Sequence, residues 1–195
     1  VVSAVVLIPI VMVFLGSFKT VPEFFSTPYG LPEAFDPFNY VKAWDEANLQ
    51  RATLNSLIAT VLGVIFSTIL ASLAAYGLAR YTFALRMPLR LLFVGGLVVP
   101  VQLIIIPIFV MFRQAGLLGS LWSLILVYSV LGIPLAVLVM TGFFAALPRD
   151  LEEAARIDGA NHFQIFWRIM LPLTRPALSA TIILNGVWMW NDFFL

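Results

Sequence analysis

Residues 148–172 read PRDLEEAARIDGANHFQIFWRIMLP, with seven charged side chains in 25 positions, too many for a membrane span and too few for a plainly solvated loop. Two short helices fit the pattern. The first opens after Pro148, sets Asp150, Glu152 and Glu153 near its positive N-terminal end, places Glu152 four residues before Arg156, and stops at Gly159. Asn161 caps the second, Gln164 stands three residues on in the position of a capping box, and Pro172 closes it. Helices shorter than about 12–15 residues are marginal on their own in water, so the first needs a surface to dock on. Its apolar face, Leu151, Ala154 and Ala155, is small, flat and flanked by carboxylates, which suits a protein groove. The second offers Phe163, Phe166, Trp167 and Met170 to a membrane interface.

Outward from this segment the chain is nearly free of charge. Of 195 residues, 62% are hydrophobic and 11% charged, far from the roughly 25% charged residues of a soluble domain. Charge-free runs occupy residues 1–18, 52–79, 91–112, 114–148 and 176–191. A bilayer core about 30 Å thick asks for about 20 apolar residues, so the reading is an all-α polytopic membrane protein. Its expected helices are 1–17, 54–79, 90–112, 119–144 and 177–195. Val1 in place of Met and an apolar C-terminus lead us to expect a fragment of a longer protein, cut within its first and last helices. The net charge of +1 gives no field for nucleic acid, the lack of cysteine removes disulfides, thiolate metal sites and cysteine nucleophiles, and the single His162 is read as a surface residue.

The loops give the topology. Arg80 and Arg86 belong to the 80–89 connection, with Arg90 at the start of the next helix, and Arg149, Arg156, Arg168 and Arg175 to the 145–176 connection. The alternate connections carry Lys19, Lys42, Arg51 and Arg113, so the positive-inside rule puts 80–89 and 145–176 in the cytoplasm. Pro100, Pro107 and Pro134 interrupt the third and fourth spans, and Gly63, Gly77, Gly95, Gly96, Gly132 and Gly142 offer close-approach surfaces for neighbouring helices.

Glu153-Ala154-Ala155, three residues, Gly159, nine residues, Ile169, one residue, Leu171-Pro172 is similar in residue type and spacing to the EAA signature of the membrane subunits of binding-protein-dependent ABC importers. LEEAARIDGA at 151–160 resembles their carbohydrate-importing branch, which includes the maltose-type permeases. Ser17-Phe18-Lys19, Asn55-Ser56-Leu57, Ala75-Tyr76-Gly77-Leu78-Ala79-Arg80 and Trp190-Asn191-Asp192 extend the likeness over essentially the whole chain. The resemblance implies a single transmembrane domain over 1–195, drawn from a fold of about six helices in the full protein. It further implies a coupling role for Glu153, Ala154, Ala155, Asp158, Gly159, Leu171 and Pro172. Also implied are a cytoplasmic ATPase dimer that docks on this loop, a second permease subunit forming a heterodimer, an extracytoplasmic solute-binding protein, and residence in the cytoplasmic (inner) membrane of a bacterium or archaeon. No GxxxxGK[ST] loop is present, so ATP belongs to the partner and the chain is expected to hold no cofactor and to be no enzyme.

Sugar binding favours aromatic faces and amides, which makes Asn185, Trp188 and Asn191 the candidates for a translocation pathway. Asp192 reads equally as an outer-interface residue beside a Trp belt. A non-sugar solute such as glycerol phosphate is the alternative cargo. An ion-coupled transporter would carry titratable groups inside its spans, and an intramembrane protease or metalloenzyme a catalytic pair or metal cluster; the three complete runs hold none.

Overall fold

In a computed structural model the described residues are 2–46, 48–192 and 195, and they are helical throughout apart from turns and short connections. The chain's contacts group into two compact units, residues 1–54 and 55–195. The first organises itself around Lys19. Helix α1 (Val2–Gly16) runs out into Ser17-Phe18-Lys19, and α2 (Val21–Ser26) starts behind a Thr20–Glu23 capping box. Lys19 is 3% exposed, and its ammonium donates to the carbonyls of Thr27 (2.6 Å) and Gly30 (2.7 Å). From the start of α3 (Phe38–Glu46), Asn39 Nδ2 donates to the carbonyls of Ser17 and Lys19. Phe18 sits between the rings of Phe14, Phe35 and Tyr40, at 5.3–5.6 Å between centroids. A connection rich in proline thus folds on its own ring cluster and a buried cation.

Helices α4 (Leu49–Arg80), which begins in the first unit and continues into the second, and α7 (Leu121–Ala146) are long and apolar enough to cross a bilayer. Buried along α4 is a stripe with a period of four: Ala59, Gly63, Ser67, Ala71, Ala75 and Ala79. Such small residues let helix backbones approach closely where lipid provides no hydrophobic drive between helices. Ser67 and Ser72 satisfy their hydroxyls on the carbonyls of Val64 and Thr68 inside the same helix. Helix α7 packs against α5 (Arg86–Val98) and against α11 (Arg175–Trp190).

The tightest contact is at Gly132 of α7. A Cβ there would stand 2.9 Å from Asn185 Nδ2 and Met189 Cε on α11 and 3.0 Å from Ser67 Cβ on α4. Gly63 is similarly close to Tyr128, and Gly96 to Pro134, whereas Gly77, Gly95 and Gly142 face open space, so only half of the expected glycine contacts form among the described residues.

The third span, expected as one helix over 90–112, is instead two. Helices α5 and α6 (Val101–Gln114) meet at 101°. The residue before a proline is pushed out of the helical region, and Val99 has ψ 116° ahead of Pro100, which then opens α6. Pro107 stays inside α6 and Pro134 inside α7. The helices expected over 1–17, 54–79, 119–144 and 177–195 are observed as α1, α4, α7 and α11, and the last ends at Trp190; residues 193 and 194 of that expectation lie outside the described residues.

Candidate functional site

The connection after α7 turns at Leu147 and Pro148 and begins α8 (Asp150–Ile157). Arg149 at the N-cap gives no side-chain cap, but its carbonyl accepts the N–H groups of Glu152 (2.9 Å) and Glu153 (3.2 Å). Asp150, Glu152 and Glu153 line the first turn, where the positive end of the helix favours carboxylates. The helix stops in a Schellman arrangement. Ala160 N–H reaches Ala155 O (2.9 Å), Gly159 N–H reaches Arg156 O (3.0 Å), and Gly159 has φ +82°, a conformation that any side chain would strain. The glycine of the motif therefore ends the helix sharply and sends the chain back towards the bundle.

Helix α8 has two faces. Glu152 and Ala155 turn inward; Ala155 joins a core of Ala75, Tyr76, Met140, Phe144 and Phe166. Outward stand Leu151 (38% exposed), Glu153, Ala154, Ile157 (87% exposed) and Asp158. The flat face expected from Leu151, Ala154 and Ala155 is thus redrawn: Ala155 belongs to the interior and Ile157 replaces it outside.

The Asn161–Gln164 capping box forms with 2.9 Å bonds in both directions and starts α9 (His162–Ile165). The chain then widens into a π-turn over Phe166–Met170, in which Leu171 N–H bonds back five residues to Phe166 O. Pro172, which has no N–H to offer, follows directly inside α10 (Leu171–Leu173). The expected stop at Pro172 is accordingly displaced to Thr174, which is non-helical, with its hydroxyl and N–H on the carbonyls of Met170 and Leu171. Of the aromatic face expected to dip into lipid, Phe166 and Met170 are buried in protein, Phe166 lying 5.2 Å from the Tyr76 ring, while Phe163 and Trp167 remain exposed. Leu171 and Pro172 are half-buried, Leu171 against the same core.

The last residue of α4 closes the site. Arg80 Nε lies 2.8 Å from Glu152 Oε1, off the line of a good hydrogen bond, so the contact is an ion pair; the side chains are 4% and 8% exposed. A terminal nitrogen of the same guanidinium donates to Leu147 O at 2.9 Å. Arg156 reaches the other Glu152 oxygen at 3.8 Å from a half-exposed position, worth little by comparison. Tyr81 OH and His162 Nδ1, the latter on an exposed residue as expected, are 3.1 Å apart. The 80–89 and 145–176 connections thereby share one end of the bundle, around a polar groove of about 370 Å³ that includes Arg149, Glu153 and Arg156. In the sequence Arg80 reads as a loop charge and Glu152 as a helix-end charge. Their pairing is a contact across 72 positions, and the only hint was that Arg80 ends an apolar run without a break.

At the other end of α11, Asn185 is 2% exposed and donates to Gly132 O at 3.0 Å, with Ser67 Oγ at 3.5 Å. Trp188 is half-buried against Tyr128, 6.0 Å between ring centroids. Asn191 is exposed and donates to Val187 O; Asp192 accepts from Tyr128 OH at 3.3 Å.

Comparison with known proteins places this arrangement. The chain is similar to the permease protein NgcG of the diacetylchitobiose uptake system of Streptomyces coelicolor, 38% identical over 193 residues, 99% of this chain and 64% of the relative. It is also similar to AmyC of Thermoanaerobacterium thermosulfurigenes, a probable permease of a transport system for starch degradation products, 33% identical over 187 residues, 96% of this chain and 68% of the relative. The chain therefore spans about two thirds of the length of these relatives. Among solved structures, a bacterial ABC transporter involved in the import of the acidic polysaccharide alginate superposes with a TM-score of 0.81 at 26% identity, over 97% of this chain and 67% of that one. A profile for the binding-protein-dependent transport system inner membrane component matches residues 67–195, which contain α8, its π-turn and all of α11. With that match and these relatives, the chain belongs to the family of inner membrane components of binding-protein-dependent transport systems.

Proposed function

We propose that the protein is the translocation subunit of an ATP-driven carbohydrate importer, and that α8 is the element on which a separate ATPase subunit acts. The observation that carries this reading is the division of α8 into an inward face, Glu152 and Ala155, and an outward face, Leu151, Glu153, Ala154, Ile157 and Asp158. An eight-residue helix held so firmly on one side, with an isoleucine and carboxylates free on the other, suits a groove in a second protein. Gly159 sets where that helix ends, and Leu171 and Pro172 hold the return path. ATP is bound by the partner, a dimer, and a second permease subunit completes the pathway as a heterodimer fed by an extracytoplasmic binding protein. The 80–89 and 145–176 connections face the cytoplasm in this scheme, which their seven arginines favour.

Carbohydrate is the favoured cargo because relatives named for diacetylchitobiose and starch products, and a structure named for alginate, all concern saccharides. Asn191 and Trp188 offer an exposed amide and a half-exposed indole to the pathway, and Asn185 contributes by fixing α11 against α7 and α4. The test uses the full-length protein co-expressed with its ATPase, sister permease and binding protein. Glu153→Lys and Ile157→Asp are expected to strip the ATPase from the purified permease, and vesicles of the intact complex to take up radiolabelled oligosaccharide. Undiminished ATPase retention by both variants overturns the docking assignment, and ATP-driven uptake of a non-sugar solute alone overturns the cargo.

A further inference from the structure

Helix α8 is joined by chain connectivity to α7 before it and to α11 after it. Nothing in the order of the sequence joins it to α4, yet α4 carries the small-residue stripe on which the unit packs. The contact between α4 and the coupling turn has two parts of different character. Ala75, Tyr76 and Ala79 form an apolar seam with Ala155, Phe166 and Met170. Such a seam resists separation but has no directional bond to resist sliding. Arg80 does, since one guanidinium holds Glu152 of α8 at 2.8 Å and Leu147 O at the end of α7 at 2.9 Å, buried away from solvent. An ion pair in such a place is poor value for stability alone, because apolar side chains of like volume commonly serve as well; what it supplies is a fixed register.

We propose that Arg80 is a positioning residue that makes α4 move with the coupling turn, so that displacement of α8 by the ATPase is delivered to α4 as well as to α7 and α11. The proposal rests on the docking role of α8. Without the pair, α8 and α7 still move under the ATPase while α4 lags along its apolar seam, and hydrolysis no longer drives transport.

The experiment uses the complete transporter in proteoliposomes with Arg80→Gln/Glu152→Gln, a double change that leaves no uncompensated buried charge, and with Arg80→Lys. The double variant is expected to retain its ATPase on purification, to lose uptake by about tenfold, within the range seen for residues along coupling networks, and to lose the rise in hydrolysis caused by ligand-loaded binding protein. Arg80→Lys recovers part of the uptake, because a point charge can hold Glu152 but not both acceptors with the geometry of the fork. Spin labels at Leu73 on α4 and Asp150 on α8, both exposed, read the movement directly. Their separation stays constant between nucleotide-free and ATP-bound complexes with the native pair and changes in the double variant. Uptake within twofold of the native protein, a separation that changes with ATP in the native pair, or failure of the double variant to assemble overturns the proposal, the last by making the pair a folding element. Retention of the ATPase by Glu153→Lys and Ile157→Asp is a separate outcome, and it removes the docking reading instead.

Discussion

Replacing Gly132 with alanine tests the central helix contact with one methyl group. The added carbon would lie 2.9 Å from Asn185 Nδ2, 2.9 Å from Met189 Cε and 3.0 Å from Ser67 Cβ, so it presses on two other helices at once. Carbon atoms rest comfortably at about 3.5–4.0 Å, and the neighbours must retreat on both sides. Overpacking of this kind costs about 1–3 kcal/mol, and the interhelical bond from Asn185 to Gly132 O, which lies in the path of that retreat, adds about 0.6 kcal/mol. Alanine's better helix propensity returns about 0.8–1.0 kcal/mol, leaving a net loss of about 0.6–2.8 kcal/mol. At about 2–4 °C per kcal/mol for a chain of this size, the melting temperature of the purified permease should fall by about 3–7 °C for the middle of that range. The internal control is Gly142→Ala, on the same helix, where a Cβ meets nothing within 4 Å. That variant should melt no lower than the native permease. Equal melting temperatures for Gly132→Ala and the native protein, or an equal loss for Gly142→Ala, would show that close approach at Gly132 does not hold the three helices.

Lys19→Met should loosen the first unit, since it leaves the carbonyls of Thr27 and Gly30 without a charged donor, each such bond being worth about 1.5–3 kcal/mol. Limited proteolysis should then cut faster between residues 27 and 37, and an unchanged cleavage rate would show that the ammonium does not hold the connection. Asn161→Ala removes the cap of α9 at a cost of about 1 kcal/mol, so amide exchange at Gln164 should quicken about fivefold, and no change would mean that the π-turn rather than the cap sets that helix.

The parts of this fold that are local in sequence were legible, and the parts that depend on what meets what were not. The apolar runs are continuous in the chain, and the capping box at Asn161 and the helix stop at Gly159 depend on residues within five positions of one another. Six glycines looked alike on paper; three differ in the structure because their neighbours come from other helices. The bend between α5 and α6 is an intermediate case. Pro100 and Pro107 occupy the same apolar run, and only Pro100 breaks it, while Pro107 stays inside α6, so the steric preference of the residue before a proline does not by itself decide where the helix bends. Lys19 and Arg80 look like loop charges by every local criterion, and their partners lie 8 to 72 positions away.

Those two levels of information meet on α4. Its stripe of Ala59, Gly63, Ser67, Ala71, Ala75 and Ala79 has a regular four-residue period, so as a pattern it would fit a neighbour slid by one turn almost as well. In lipid no hydrophobic gain corrects such a slip, because the tails are as apolar as the helices. Register has to come from contacts that lack the period, and two of those among the described residues lie at separate heights on α4. Near its middle, Ser67 meets Asn185, whose amide is committed to Gly132 O; at its end, Arg80 meets Glu152 and Leu147 O. A slip of four residues breaks both together, and at Asn185, enclosed between three helices, the unpaired amide would have no water to turn to. The stripe therefore makes close packing possible and the two polar contacts select one packing from several, which is why a membrane protein so poor in charge keeps an arginine and a glutamate buried at the foot of a helix.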